Sequence, residues 1–226
     1  MLPRTRDDPR SDAERFEAVV HTFFRECGRE LAHESVFEGW LAAHLAVDFG
    51  WARVICQAHL QMQHLLDEVL DWQYANQLLQ PKNPNKCGFN PDICIADGRT
   101  MDCRKSQTRI DDCRNDLLKR FTVASELKLP TDVESVWRDM LRLGLMAACR
   151  PSSPPLHTFM VVIDSHAVMS SGRVEEGLGR LHASWRASVP YPVLMICRRE
   201  GQRMLAEVHR DLRPQAQQVE LTRTVA

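Results

Sequence analysis

Two stretches of this chain pair acids with an apolar setting in a way that could do chemistry. One is Pro91-Asp92 leading into Ile93-Cys94-Ile95-Ala96, and the other is Glu126-Leu127-Lys128 inside Phe121–Leu129. In an extended strand, successive side chains alternate between faces. Phe121, Val123, Leu127 and Leu129 then share one face, with Ser125 among them, while Thr122, Ala124, Glu126 and Lys128 share the other. In the earlier strand, Ile93 and Ile95 point one way and Asp92, Cys94 and Ala96 the other. Pairing the two strands would set Asp92 beside Glu126, with Lys128 at the edge of the same cluster. An unpaired charge in an apolar strand is costly, and a bound cation removes that cost. The lysine is also an unusual choice for this chain, which uses 24 Arg and only five Lys; Lys128 is the only lysine after residue 119. The bland alternative is a Glu126–Lys128 ion pair on a strand surface.

The elements that must position these residues are legible from periodicity. Phe16, Val19, Val20, Phe23 and Phe24 recur at helical spacing after Asp12, which serves as the expected N-cap. A second helix is expected from Ser35 to Asp48, stopped by Gly50. Glu34, Glu38, Leu41 and Leu45 fall on one stripe of it, so Glu38 points partly toward the core. Residues 51–60 read as a strand, 64–80 as a helix, 83–90 as a loop, and 89–96 and 121–129 as the two acid-bearing strands. A helix follows from Pro130-Thr131-Asp132 to Cys149, with Val133, Trp137, Leu141 and Leu145 on its inner face. Then come a strand at 156–164, a helix at 173–187, a strand at 191–198 and a short strand at 204–209. Strands alternating with helices give an α/β class, a helix-covered sheet. Residues 1–11 read as a disordered tail, 12–213 as a single domain, and 214–226 as a polar C-terminal tail.

Composition bounds the function classes. Apolar residues make up 44% and charged residues 26%, as in ordinary globular proteins, and the formal net charge of −1 leaves any anionic partner dependent on a local basic patch. No apolar run approaches the ~20 residues of a membrane span, and Met1–Ser11 does not read as a signal peptide, so a cytoplasmic location is expected. The eight cysteines include no CxxC pair, the usual source of structural zinc ligands. Cys94 and Cys197 lie in apolar runs and should be reduced core residues. The connector 97–120 interleaves seven Arg/Lys with five Asp, a solvated, salt-bridged pattern rather than a phosphate-binding arm. His157 and His166 are expected at strand ends, and the remaining histidines form no HExxH or HxxxH set.

The residues Pro91-Asp92 and Glu126-Leu127-Lys128, in the order helix of Glu38, strand, Asp strand, Glu-x-Lys strand, helix, strand, resemble the PD-(D/E)XK nuclease superfamily. The resemblance spans residues 34–164. It implies a restriction-endonuclease-like mixed β-sheet flanked by α-helices, and Mg²⁺-dependent hydrolysis of nucleic-acid phosphodiesters, DNA rather than RNA. Asp92, Glu126 and the Leu127 carbonyl would ligate Mg²⁺, with Mn²⁺ as a substitute. Lys128 would orient the attacking water and add positive charge, and Glu38 would be the extra acid. A homodimer or a targeting partner protein would suit such an enzyme. The alternative is a catalytically inactive member of the same fold serving as a binding or interaction module.

Overall fold

The computed structural model describes residues 10–27, 33–58, 60–61, 88–97, 120–130, 132–148, 155–165, 167–184, 190–200, 203–210 and 212. Among the described residues four helices, α1 (Asp12–Cys27), α2 (Glu34–Phe49), α3 (Val133–Ala148) and α4 (Ser171–Ala183), accompany a six-stranded mixed sheet. The sheet runs, in spatial order, β1 (Val54–Cys56), β4 (Ile93–Ala96), β5 (Phe121–Lys128), β6 (His157–Asp164), β7 (Val193–Glu200) and β8 (Arg203–His209). A separate pair joins β2 (Leu60–Gln61) to β3 (Gly88–Phe89). β5–β6 and β6–β7 are parallel, and the other pairings in the large sheet are antiparallel. Parallel neighbours need a crossover, and α3 and α4 supply the two. Successive right-handed crossovers moving in one direction put both helices on one face.

Each face of the sheet is therefore covered. Ile93, Ile95, Val123, Leu127, Phe159, Val161 and Ile163 pack on Phe16, Phe23, Phe37, Leu41 and Leu45 of α1 and α2. Cys94, Ala124, Met160, Val162, Leu194 and Ile196 pack on Trp137, Leu141 and Leu145 of α3 and Leu181 of α4. Of the expected inner face of α3, Trp137, Leu141 and Leu145 are buried and Val133 is partly buried. Where α3 meets α4, a Cβ on Gly177 would fall 1.8 Å from the Trp137 ring, so the crossing depends on glycine.

Several element ends differ from the sequence expectation, each for a physical reason. Ser11 belongs to α1 as its cap: its hydroxyl accepts from the Glu14 N–H at 3.3 Å while Glu14 accepts from the Ser11 N–H at 2.7 Å, a reciprocal capping box. Asp12, expected as the cap, instead accepts from Arg53 and from the Thr122 hydroxyl. Strand 51–60 shrinks to Val54–Cys56, because Gln57 turns into the left-handed region at φ 53°. Strand 89–96 divides: Phe89 pairs in the small sheet, Pro91 has no N–H to give a ladder, and Asp92 stands just ahead of β4. A register shift between Ile95 and Ala96 opposes Val123 and then Phe121, which moves Phe121 from its expected face to the α3 side. The α2 stop at Gly50, with φ 85°, is as expected. The helix at 64–80, most of the 97–120 connector and the tails 1–9 and 213–226 lie outside the described residues. Among the described residues no helix is long and apolar enough to cross a membrane.

Candidate active site

The acid-bearing residues converge where β4 begins and β5 leaves the sheet. Ile93 is paired with Ser125, so Asp92, the residue before β4, lies level with Glu126 on β5. There Asp92 replaces the missing ladder partner: its Oδ2 accepts from the Leu127 N–H at 2.8 Å. The N–H and C=O of a strand residue leave on the same side, so the Leu127 carbonyl faces the Asp92 side as well. Glu126, 8% exposed and on the α3 face, lies near enough to Asp92 for the two carboxyls to interact. Glu38 approaches from α2, linked through Gln57, whose Nε2 donates to Glu38 Oε1 and to Asp92 Oδ1, each at 2.9 Å. Asp92, Glu126, Leu127 and Glu38 are thus brought together by two strands and one helix.

Lys128 sits beside this group in a cage of acids. Its Nζ lies 3.2 Å from Glu34 Oε1 and 3.2 Å from Asp139 Oδ2. Glu34 also accepts from the Leu129 N–H at 2.9 Å, and Asp139 accepts from Arg142 at 2.9 Å. The alternative of a Glu126–Lys128 surface pair is not the arrangement: Lys128 turns to Glu34 and Asp139, and Glu126 lies beside Asp92.

The electrostatics follow from burial and like charge. Glu126 is raised well above its ordinary carboxylate value, first by burial, then by the charges of Asp92 and Asp139 and the hydrogen bond to Asp92, with Lys128 opposing. Burial and like charge together favour the protonated form of Glu126. Burial alone would lower Lys128, yet Asp139, Glu34 and Glu126 together hold it above the usual lysine range. It stays a cation at neutral pH. Beneath the pair, the Cys94 thiol is pushed well up by burial and then by Glu126, and the more exposed Cys56 is raised by burial, Glu38 and Asp92. Neither is a ready thiolate for a soft metal. Cys94 and Cys197 are buried free thiols as expected, while Cys56 is exposed.

Sequence reasoning missed three members of this group. Asp139 had a signal: three residues after Val136 and four before Leu143, it falls on the apolar stripe of α3, and it is 4% exposed. Glu34 lies one turn before Glu38 on the stripe already noted for that helix. Gln57 had none, since only the packing around it turns its backbone left-handed.

The donor set fits a hard divalent cation. Among the described residues no three acidic, His or Cys side chains gather into a ready-made cage. Mg²⁺ takes one or two carboxylates and keeps several waters, which suits Asp92 and Glu126 with the Leu127 carbonyl. Compared with known proteins, the chain matches no family model, no curated protein and no solved structure.

Proposed function

We propose that this chain is a Mg²⁺-dependent nuclease with a restriction-endonuclease-like core, hydrolysing phosphodiester bonds of nucleic acid, DNA rather than RNA. One observation carries the proposal: Asp92 stands level with Glu126 on the neighbouring strand, with Lys128 two residues on and Glu38 bridged in by Gln57. Asp92, Glu126 and the Leu127 carbonyl would hold Mg²⁺ or Mn²⁺, which when bound supplies Lewis acidity and a more acidic water. Lys128 remains protonated, so its part is electrostatic: it donates a hydrogen bond that orients the attacking water and adds positive charge where charge develops on the phosphate. Holding the metal cation would require Glu126 to be deprotonated, which burial and its acidic neighbours oppose until positive charge is supplied. Glu38 closes the α2 side of the group through Gln57.

A second reading has its own observation. Lys128 already has two acidic partners, Glu34 and Asp139, which favours a catalytically inactive binding module of the same fold. Cleavage of plasmid, linear and single-stranded DNA with Mg²⁺ or Mn²⁺ separates the two. The wild type should cut at least one substrate, and Asp92→Ala, Glu126→Ala and Lys128→Ala should each lose about a hundredfold or more in rate. Activity that survives all three substitutions removes this site from the chemistry. A wild type that binds cation and never cuts leaves the binding module.

A further inference from the structure

The geometry points to Gln57 as the positioning residue that holds Glu38 and Asp92 on a common point and so sets the affinity of the group for a divalent cation. This rests on the metal-dependent reading above. A single nitrogen, Gln57 Nε2, donates to both Glu38 Oε1 and Asp92 Oδ1 at 2.9 Å. With one N–H to each acid, the amide partly compensates two half-buried carboxylates that would otherwise repel.

The backbone that delivers the amide is strained. Gln57 has φ 53°, a conformation costly for a residue with a long side chain and one that Gly adopts freely. It is fixed by its own N–H, which donates to the Asp92 carbonyl at 3.0 Å. The main chain of Gln57 therefore grips Asp92 from one side while its side chain grips the same residue's carboxylate and Glu38 from the other. A turn needed only to end β1 would be served better by glycine. Retaining glutamine there gives the amide its reach.

The test separates the amide from the turn. Gln57→Gly keeps the left-handed backbone and the main-chain bond and removes only the side chain, so folding is not at stake. Mn²⁺ binding is measured by calorimetry on the full chain, alongside metal-free melting. The wild type should bind Mn²⁺, and Gln57→Gly should bind it roughly tenfold or more weakly, the usual cost of losing a group that orients ligands, with melting unchanged or higher. Gln57→Glu, which has the same reach but sets a third carboxylate between the two, should melt lower without metal and recover when Mn²⁺ is added. Mn²⁺ binding by Gln57→Gly as tight as wild type overturns the assignment and leaves the nuclease reading standing. A wild type that binds no Mn²⁺ overturns both.

Discussion

Two buried acids stand on neighbouring strands of this sheet and meet opposite fates. Asp164 ends β6, and its two oxygens accept from the backbone N–H groups of Val168 at 2.7 Å and Met169 at 3.1 Å. Arg198 adds a cation at 3.5 Å from Oδ2 and is itself tied to the Met169 carbonyl and to Glu207. Every demand of that carboxylate is met by a fixed donor. Glu126 on β5 is met by another carboxyl, Asp92, and by a further acid, Asp139, nearby. The first arrangement fixes a turn, and the second leaves a local deficit of positive charge around Glu126. A buried acid thus points to function when its neighbours repel it, rather than by being buried.

The comparison breaks most readily at Asp164. Asp164→Ala strips the partners from two buried N–H groups and takes one of three from Arg198, and should cost about 3–5 kcal/mol of stability, read from urea unfolding. A loss much smaller than that would mean the turn after β6 holds without its acid. A smaller effect, of opposite sense, tests the deficit on β5. Mn²⁺ at a hundredfold excess over its dissociation constant should stabilise the wild type by about 2.7 kcal/mol and Glu126→Ala far less; equal stabilisation would place the cation elsewhere.

The smallest effect sharpens the contrast through pH. Without metal, Glu126→Gln should stabilise the protein by about 1 kcal/mol near neutrality, because it removes a buried acid beside another. Glu126 is raised above its ordinary 4.5 in the fold. The folded state therefore keeps a proton that the unfolded chain releases, and the stability this confers is full below about pH 4.5 and lost as pH rises through the folded value. The advantage of Glu126→Gln should accordingly be near zero in acid and grow as pH rises. A constant difference across that range would show that Glu126 is not held protonated.

Much of this site was legible before any coordinates. Alternation placed Glu126 and Lys128 on the face opposite Val123 and Leu127, and helical spacing turned Glu38 inward, since both periods are local properties of the backbone. Apolar runs marked the central strands, because strands covered on both faces need no polar side. The expected pairing of the two acid-bearing strands is found, although Asp92 serves as a stand-in for a ladder residue rather than as part of β4.

Among the described residues the sequence by itself determined the type of most elements, most of the side chains that share a face, and that two acids and a lysine fall at one end of neighbouring strands. Only the tertiary structure decided who partners whom. Ile163-Asp164 and Ser125-Glu126 look alike as letters, each an acid in an apolar strand. Asp164 finds its donors in the turn that follows and in Arg198 of β7, whereas Glu126 finds Asp92. Lys128 found Glu34 and Asp139 rather than its sequence neighbour Glu126, and Gln57 left the extended conformation of β1 to reach two carboxylates from different elements. Periodicity follows from the geometry of one strand or helix. Partnership depends on distances across the fold, and those are set only when the elements pack.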